Sequence, residues 1–317
     1  MRHYHHLTYS QRCHIHALKS TGCSLRTIAK QLGVSPSTIS REIRRNQSHR
    51  GYHQETAHQL TKKRQQHKAH QRQKLTGRLL KQVTRYLKKK WSPEQIAGYL
   101  SARSMPISYQ TIYQFIWKNK KKGNLLYKHL RRSGKKYNKQ KGKSAGRGCI
   151  PNRVDIDQRP SIVDEKTRFG DFEADLIIGA KHEGALSTLV DRKSKYTYIS
   201  LLEGKKAHGV SQAIIRSLKS IKKHLKTITF DNGKEFAHHG IISKKLGVDC
   251  YFAKPYHSFE RGLNEHTNGL IRQYFPKSMS FGKLSQKMVK KVQKYLNNRP
   301  RKVLNYRTPK EIFLESL

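Results

Sequence analysis

From about residue 152 onward the chain reads as three strands, a helix, a strand, a helix, a strand and a further helix, and few folds accept that order. "DFEADLIIGA" is a strand with an apolar end. "ALSTLVDRKSKYTYISLLEG" is two strands joined by the polar turn "DRKSK". "AHGVSQAIIRSLKSI" has the apolar spacing of an amphipathic helix. "LKTITFDNG" is a strand ending in a turn, "FAHHGIISKKLG" a helix closed by Gly247, and "VDCYFAKPY" a short strand. The next helix lies in "SFERGLNEHTNGLIRQYF", residues 258–275, and more helix follows to the C-terminus. This order predicts an α/β domain over residues 152–317, a mixed five-stranded sheet with flanking helices in an RNase H-like arrangement.

In open α/β sheets reactive groups gather where strands end. Asp175 lies within the first strand, and Asp231 closes the fourth, followed by Asn232 and Gly233. A third carboxylate from a nearby helix completes an all-oxygen pocket suited to Mg²⁺. Two such ions about 4 Å apart serve in-line displacement at phosphorus. Residues 258–275 offer Glu260 and Glu265. At 100° per residue Glu265 shares a helix face with Arg261, Asn268 and Arg272, away from Leu263. Glu260 falls on the first turn, where an acid serves the helix dipole. Glu265 is therefore the better ligand, with Arg261 and Arg272 placed to meet strand phosphates. Glu173 alternates to the same side of its strand as Asp175, so geometry alone leaves it open. Asp191 suits a turn, and Glu235 is expected to pair with a nearby lysine.

Ahead of this domain, "SLRTIAKQLGVSPSTISREIRRN" carries the spacing of a helix-turn-helix within three short helices over residues 7–46. Ser24 caps one helix, with Leu25, Ile28, Ala29 and Leu32 on its buried side. Gly33 suits the tight turn, because a positive φ costs glycine little. Ser35 caps the next helix, with Pro36 at its first position. That helix presents Ser37, Thr38, Ser40, Arg41, Arg44 and Arg45 outward as a recognition helix, and Arg26 and Ser35 join the expected DNA contacts. A weaker copy follows. "WSPEQIAGYL" starts with the capping box Ser92–Gln95, and "ISYQTIYQFIWK" starts at Ser108, with Tyr109, Gln110 and Thr111 leading. The expected organisation is a helix-turn-helix domain at 1–60, a basic helical segment and second helix-turn-helix at 61–118, a basic linker at 119–151, and the α/β domain at 152–317.

Charge points to the partner. The chain carries 67 Lys plus Arg against 20 Asp plus Glu, a formal net charge of +47. Residues 1–150 hold three acids (Glu42, Glu55 and Glu94) against 35 Lys plus Arg. A polyanion is the natural partner of such a chain. Cys13, Cys23, Cys149 and Cys250 form no CxxC pair, which reads as reduced thiols in a cytosolic protein. The histidines near the start fit no common metal-ligand spacing. No apolar run approaches 18 residues, so no membrane span is expected.

Taken together, "GDFEADLIIG", "TLVDRKS", "TFDNGKEF", "YFAKPYHSFERGLNEHTNGLIRQYFPK" and "LNNRPRKVLNYRTP" resemble the IS-thirty family of bacterial insertion-sequence transposases, as do "IAKQLGVSPSTISREIRRN" and "WSPEQIAGYL…TIYQFIW". The resemblance covers about residues 7–312. It maps the family's D-D-E triad onto Asp175, Asp231 and Glu265, with the family's spacing of 33 residues between the last two. Phe172 and Phe259 stand where the family usually has Trp, and His266 where it has Asn. The resemblance implies a DNA transposase that binds the terminal inverted repeats of its own element. It implies hydrolysis to a 3′-OH and then transfer of that hydroxyl into target DNA, with Mg²⁺ or Mn²⁺ as cofactor, two ions at the site. A homodimer or higher oligomer on DNA and a bacterial, nucleoid-associated cytoplasmic location follow as expectations. The residues themselves leave a metal-dependent nuclease and a non-catalytic DNA-binding regulator as alternatives, since one pocket serves hydrolysis and transesterification alike.

Overall fold

A computed structural model of the chain describes residues 6–71, 75–133, 150–254 and 262–317. It divides into two compact units, Met1–Thr76 and Gly77–Leu317. The first unit holds α1 (Tyr9–Ser20), α2 (Leu25–Gln31), α3 (Pro36–Asn46) and α4 (Gln54–Gln71). Ser24 and Ser35 cap α2 and α3 by accepting from the backbone N–H groups of Thr27 and Thr38. Gly33 makes the turn between them at φ +64°. Ile15, Ile28, Ala29, Ile39 and Ile43 form the core with Tyr52 and Ala57. Leu25, expected on the buried side of α2, is instead 39% exposed. As the first residue of that helix it lies beyond the packed face of Ile28 and Ala29.

One polar group is built into this core. Arg12 of α1 is 3% exposed, and its Nε donates to Glu42 Oε1 of α3 at 2.7 Å. Its other nitrogens donate to the Leu7 carbonyl at 2.7 Å and to Thr61 Oγ1 of α4 at 3.3 Å. Tyr52 Oη donates to the same Glu42 oxygen at 3.3 Å. Glu42, one of three acids in the basic half, thus locks the recognition helix to its neighbours from the inside.

The second unit begins with α5 (Gly77–Lys88), α6 (Pro93–Ser101) and α7 (Tyr109–Lys121). The Ser92–Gln95 capping box and the Ser108 cap both form. Leu87, Ile96, Leu100, Ile112 and Ile116 are fully buried. Tyr86 stacks on Trp91 at 4.4 Å between ring centres, and both meet Tyr99 edge-on. A one-turn helix, α8 (Ile162–Glu165), precedes the sheet.

The sheet comprises β1 (Asp171–Ile178), β2 (Ala185–Asp191), β3 (Thr197–Leu202), β4 (Thr227–Phe230) and β5 (Asp249–Phe252), in the order β3-β2-β1-β4-β5. β1–β2 and β2–β3 are antiparallel; β1–β4 and β4–β5 are parallel. This is the RNase H-like topology that the element order predicts. Even residues of β1 (Phe172, Ala174) enter a core with α9 (Ala207–Leu218) and α10 (His239–Leu246). Ile177 faces the opposite core, with Leu270 and Ile271 of α11 (Gly262–Ile271) and Val289, Val292 and Leu296 of α12 (Gln286–Asn297). The last helix is α13 (Pro309–Glu315).

The free edge of β3 is covered by side-chain amides. The N–H groups of Thr197, Ile199 and Leu201 donate to the amide oxygens of Asn297, Gln293 and Gln286 of α12, at 2.9, 2.9 and 3.1 Å. Four helical residues rise about 6 Å and two strand residues about 7 Å, so Asn297 and Gln293 match Thr197 and Ile199 in step. The α5–α7 helices are tied to the sheet domain within this unit. Arg299, 3% exposed, donates to Gln95 Oε1 at 2.8 Å and to Gln273 Oε1 at 2.7 Å. Lys90 Nζ donates to the Gln273 carbonyl. The sequence reading groups residues 61–118 with the N-terminal half; most of that stretch here shares a compact unit with the sheet.

Candidate active site and DNA-binding surfaces

Asp175 and Asp231 stand on neighbouring parallel strands. Glu173 of β1 pairs in register with Thr229 of β4, so two residues further on Asp175 of β1 lies level with Asp231, the first residue beyond β4. Alternation gives Asp175 the face of Ile177, the α11 side of the sheet. Asp175 Oδ1 accepts from the Leu176 N–H at 2.9 Å, and its Oδ2 accepts from Asn268 Nδ2 of α11 at 2.6 Å. Asp231 Oδ1 accepts from the Gly233 N–H at 3.0 Å. The turn behind it is pinned by Asn232, which donates to the Ala253 carbonyl and accepts from Arg153, both at 2.6 Å.

α11 carries Glu265, the carboxylate that the sequence reading favours as the third. Asn264 is fully buried and donates to the Ala174 carbonyl at 3.2 Å, while Asn268 grips Asp175. Glu265 lies on the exposed flank of α11, one turn before Asn268. α11 therefore packs over β1 and β2, with Asn264 and Asn268 on the middle of β1. Among the described residues, no three His, Cys, Asp or Glu side chains converge closely enough to hold an ion as they stand. Glu260 and Arg261 lie outside the described residues. Arg272 turns back onto the fold: it donates to the Ile178 carbonyl at 2.8 Å and lies over the Phe281 ring.

The other acids have structural tasks. Glu173 is 1% exposed and accepts from Arg192 at 2.9 Å, which removes the ambiguity left by strand alternation. Asp171 pairs with Arg168 at 2.8 Å, and Asp191 accepts from the N–H groups of Gly170 and Ser194. Burial raises the Asp191 carboxyl above the usual carboxylate range, against those hydrogen bonds. Glu235 does not take up the expected lysine pairing among the described residues; its carboxylate folds over the α-carbon of Gly233. The Cys250 thiol is buried and pushed up to about 12, an inert group. His266 sits on a solvent-reachable flank of α11, yet its ring is pushed down to about 4, by desolvation first and then by Arg301, Arg131 and Arg299.

On the first unit, Arg26, Ser35, Ser37, Ser40, Arg41, Arg44 and Arg45 are all exposed, and Thr38 is half-buried. The Ser35 hydroxyl is occupied as a cap, and Arg41 lies along the helix, its Nε donating to the Ser37 carbonyl at 3.1 Å. On α7, Tyr109 and Gln110 are exposed at the leading end, while Thr111 is half-buried with its N–H on Ser108 Oγ. Sequence reasoning did not single out Asn264 or the Arg153–Asn232 pair. Asn264 does carry a signal, a polar residue at a position whose helical neighbours Thr267 and Ile271 point inward.

The chain is similar to proteins of known kind. A family model described as a helix-turn-helix domain matches residues 3–46. The chain is 47% identical over 311 residues to the transposase for insertion sequence element IS4351 of Bacteroides fragilis, covering 97% of this chain and 95% of that protein. It is 39% identical to transposase InsI for insertion sequence element IS30A of Escherichia coli (strain K12), covering 97% and 83%. Identity to the transposase for insertion sequence element IS1086 of Cupriavidus metallidurans is 33%, covering 99% and 96%. Among solved structures, the catalytic core domain of BIV integrase matches 46% of this chain and 95% of its own length, at 21% identity and TM-score 0.36.

Proposed function

The chain belongs to the IS-thirty family of insertion-sequence transposases, DNA-binding proteins of DNA transposition, and from that premise we propose that Asp175, Asp231 and Glu265 are its D-D-E catalytic and metal-binding residues. The observation that carries this reading is the level placement of Asp175 and Asp231 on the parallel β1–β4 pair, with Asn268 bringing the helix of Glu265 onto Asp175. The donor set is all carboxylate oxygen, which fits Mg²⁺ or Mn²⁺, two ions at the site. When bound, those ions supply Lewis-acid activation of the attacking oxygen and charge neutralisation on the leaving one.

The chain's own residues do the rest. Asn268 orients Asp175, and the Asn232–Arg153 contact fixes the turn that carries Asp231. Water first opens a phosphodiester at the element end, leaving a 3′-OH and a 5′-phosphate. That hydroxyl then attacks a target phosphodiester and displaces the target's 3′-oxygen, so the number of phosphodiester bonds is conserved in the second step. End recognition falls to α3, with Thr38 and Arg41 at base edges and Arg44 and Arg45 on phosphates, and Arg26 of α2 adds a DNA contact. The leading end of α7, with Tyr109, Gln110 and Thr111, supplies a second contact. We keep the division into a DNA-binding domain at 1–60, a helical segment at 61–118, a linker at 119–151 and a catalytic domain at 152–317 as a functional one. Two ends must be joined, so the working form is at least a dimer on DNA, on the bacterial nucleoid. Incubation of the full chain with duplexes carrying the terminal repeats and Mg²⁺ tests this. Joined strand-transfer products support the reading; cleavage with no joining under any divalent cation favours a nuclease instead.

A further inference from the structure

Beside α11, on the flank away from Glu265, lies a cavity of about 790 Å³. Its lining includes Arg159, Arg192, Lys195, Lys166 and Arg301, opposed by Asp157, Asp164 and Glu173. The carboxylates are already engaged: Asp164 with Arg159 and Arg192, Glu173 with Arg192, and Asp157 with Lys254. Arg301 is different. It is 6% exposed, its Nη2 donates to the Leu296 carbonyl at 3.2 Å, and its Nη1 is buried with no acceptor among the described residues. The Nε of Arg192, at 3% exposure, is likewise buried without an acceptor. Among the described residues no carboxylate forms an ion pair with Arg301, and its neighbour Arg299 adds a second buried guanidinium held only by neutral amide oxygens. Burial and Arg299 push the Arg301 guanidinium down to about 9.

Buried guanidinium groups with unused donors are costly unless an anion joins them. A carboxylate from the fold is the usual solution; Arg192 has Glu173 and Asp164 on its other nitrogens, while for Arg301 none of the described residues supplies one. The unused donors belong to arginine, whose planar fork matches phosphate oxygens. The volume lies within the range of small-ligand pockets, so a nucleotide unit fits. The cavity reaches Glu173, two residues before Asp175 on the same face of β1, roughly 7 Å along the strand.

We propose that this cavity is a phosphate site in which Arg301 Nη1, Arg192 Nε and Lys195 Nζ receive a phosphate ester of the DNA strand being processed, a short distance from the scissile phosphate. The DNA assignment rests on the proposed transposase chemistry; the anion site itself does not. It gives Arg301 a counter-charge that no described carboxylate supplies, and it holds the strand in register beside the carboxylates without touching the reacting bond.

Thermal unfolding of the full chain is measured against inorganic phosphate, with chloride keeping ionic strength constant and no divalent cation present. Wild type should show a saturable stabilisation whose apparent affinity falls at least about tenfold in Arg301→Gln and in Lys195→Gln. A surface control, Lys62→Gln, should not change it, and Asp231→Asn should retain it even though that variant is expected to be inactive. Equal phosphate response in wild type and both cavity variants overturns the proposal. If Arg301→Gln fails to fold, Lys195→Gln, at a half-buried turn position, decides alone. A scan of end DNA with single neutral methylphosphonate linkages identifies the source. One linkage whose neutralisation weakens wild type but not the cavity variants assigns the site to the DNA strand. Intact phosphate stabilisation with no sensitive linkage rejects the strand and assigns the site to free phosphate.

Discussion

Glu42→Gln should destabilise the DNA-reading unit while leaving the sheet unit unchanged. The Arg12 side chain is 4% exposed and that of Glu42 10%, with Nε and Oε1 2.7 Å apart. Removing one member of a buried pair leaves the other charge stranded, at about 3–5 kcal/mol. Arg12 would keep Leu7 O and Thr61 Oγ1, so the lower half of that range is the firmer expectation. A unit of this size is stable by roughly 4–11 kcal/mol. The loss is therefore a large share of the total and corresponds to a Tm drop of roughly 12–40 °C. The assay is thermal unfolding of the full chain followed by circular dichroism, with gel shift on terminal-repeat DNA at 25 °C. The expected result is a new low-temperature transition, with end-specific binding lost at temperatures above it. The double variant Arg12→Met, Glu42→Leu should recover much of the stability, because replacing both charges removes the stranded one. A single-variant change below about 1 kcal/mol would refute the reasoning, since the pair would then be solvated rather than buried.

Three further outcomes are expected. Arg41→Ala should weaken terminal-repeat binding by about 1–3 kcal/mol and relax specificity, whereas Arg45→Ala should weaken random and specific duplexes alike in a gel shift; equal losses for Arg41→Ala on both reject base reading. The Lys195 ammonium is pushed down to about 8, by burial and then Lys166, against Asp191 and Glu173. Its folded pKa lies below its unfolded one, so the penalty is present in full below about pH 8 and disappears toward pH 10.5; the Tm of wild type minus that of Lys195→Met should rise across that window, and a flat difference counts against it. Gln293→Ala should cost about 1–3 kcal/mol in chemical denaturation by leaving the Ile199 N–H on the β3 edge without its acceptor, and a change below about 0.5 kcal/mol means that water replaces the amide.

The element order of residues 152–317 was legible because each strand and helix carries its own period and the turns carry Gly, Asn and Asp. The caps at Ser24, Ser35, Ser92 and Ser108 were legible because an N-cap is a local interaction between neighbours in sequence. The long-range polar work was not. Nothing in the sequence pairs Arg12 with Glu42, Gln293 with the Ile199 N–H, or Arg299 with Gln95, because each pairing is set by how distant elements come to rest. Glu173 shows the same limit: strand alternation places it beside Asp175, and only the buried Arg192 opposite reveals its task. Glu265 and Asn268 could be set on one helix face by arithmetic, but the grip of Asn268 on Asp175 depends on where α11 crosses the sheet.

The most direct test of the central claim is strand transfer by four charge-neutral variants. Asp175→Asn, Asp231→Asn, Glu265→Gln and Glu260→Gln are each incubated with terminal-repeat duplex and Mg²⁺, and joined products are quantified on a denaturing gel beside a gel shift of the same samples. Each substitution keeps side-chain shape and removes one anionic oxygen donor. The account predicts that the first three lose more than about a hundredfold in joining with end binding intact, while Glu260→Gln stays within a few-fold of wild type. Retention of joining by any of the first three, or an inactive Glu260→Gln beside an active Glu265→Gln, would contradict it.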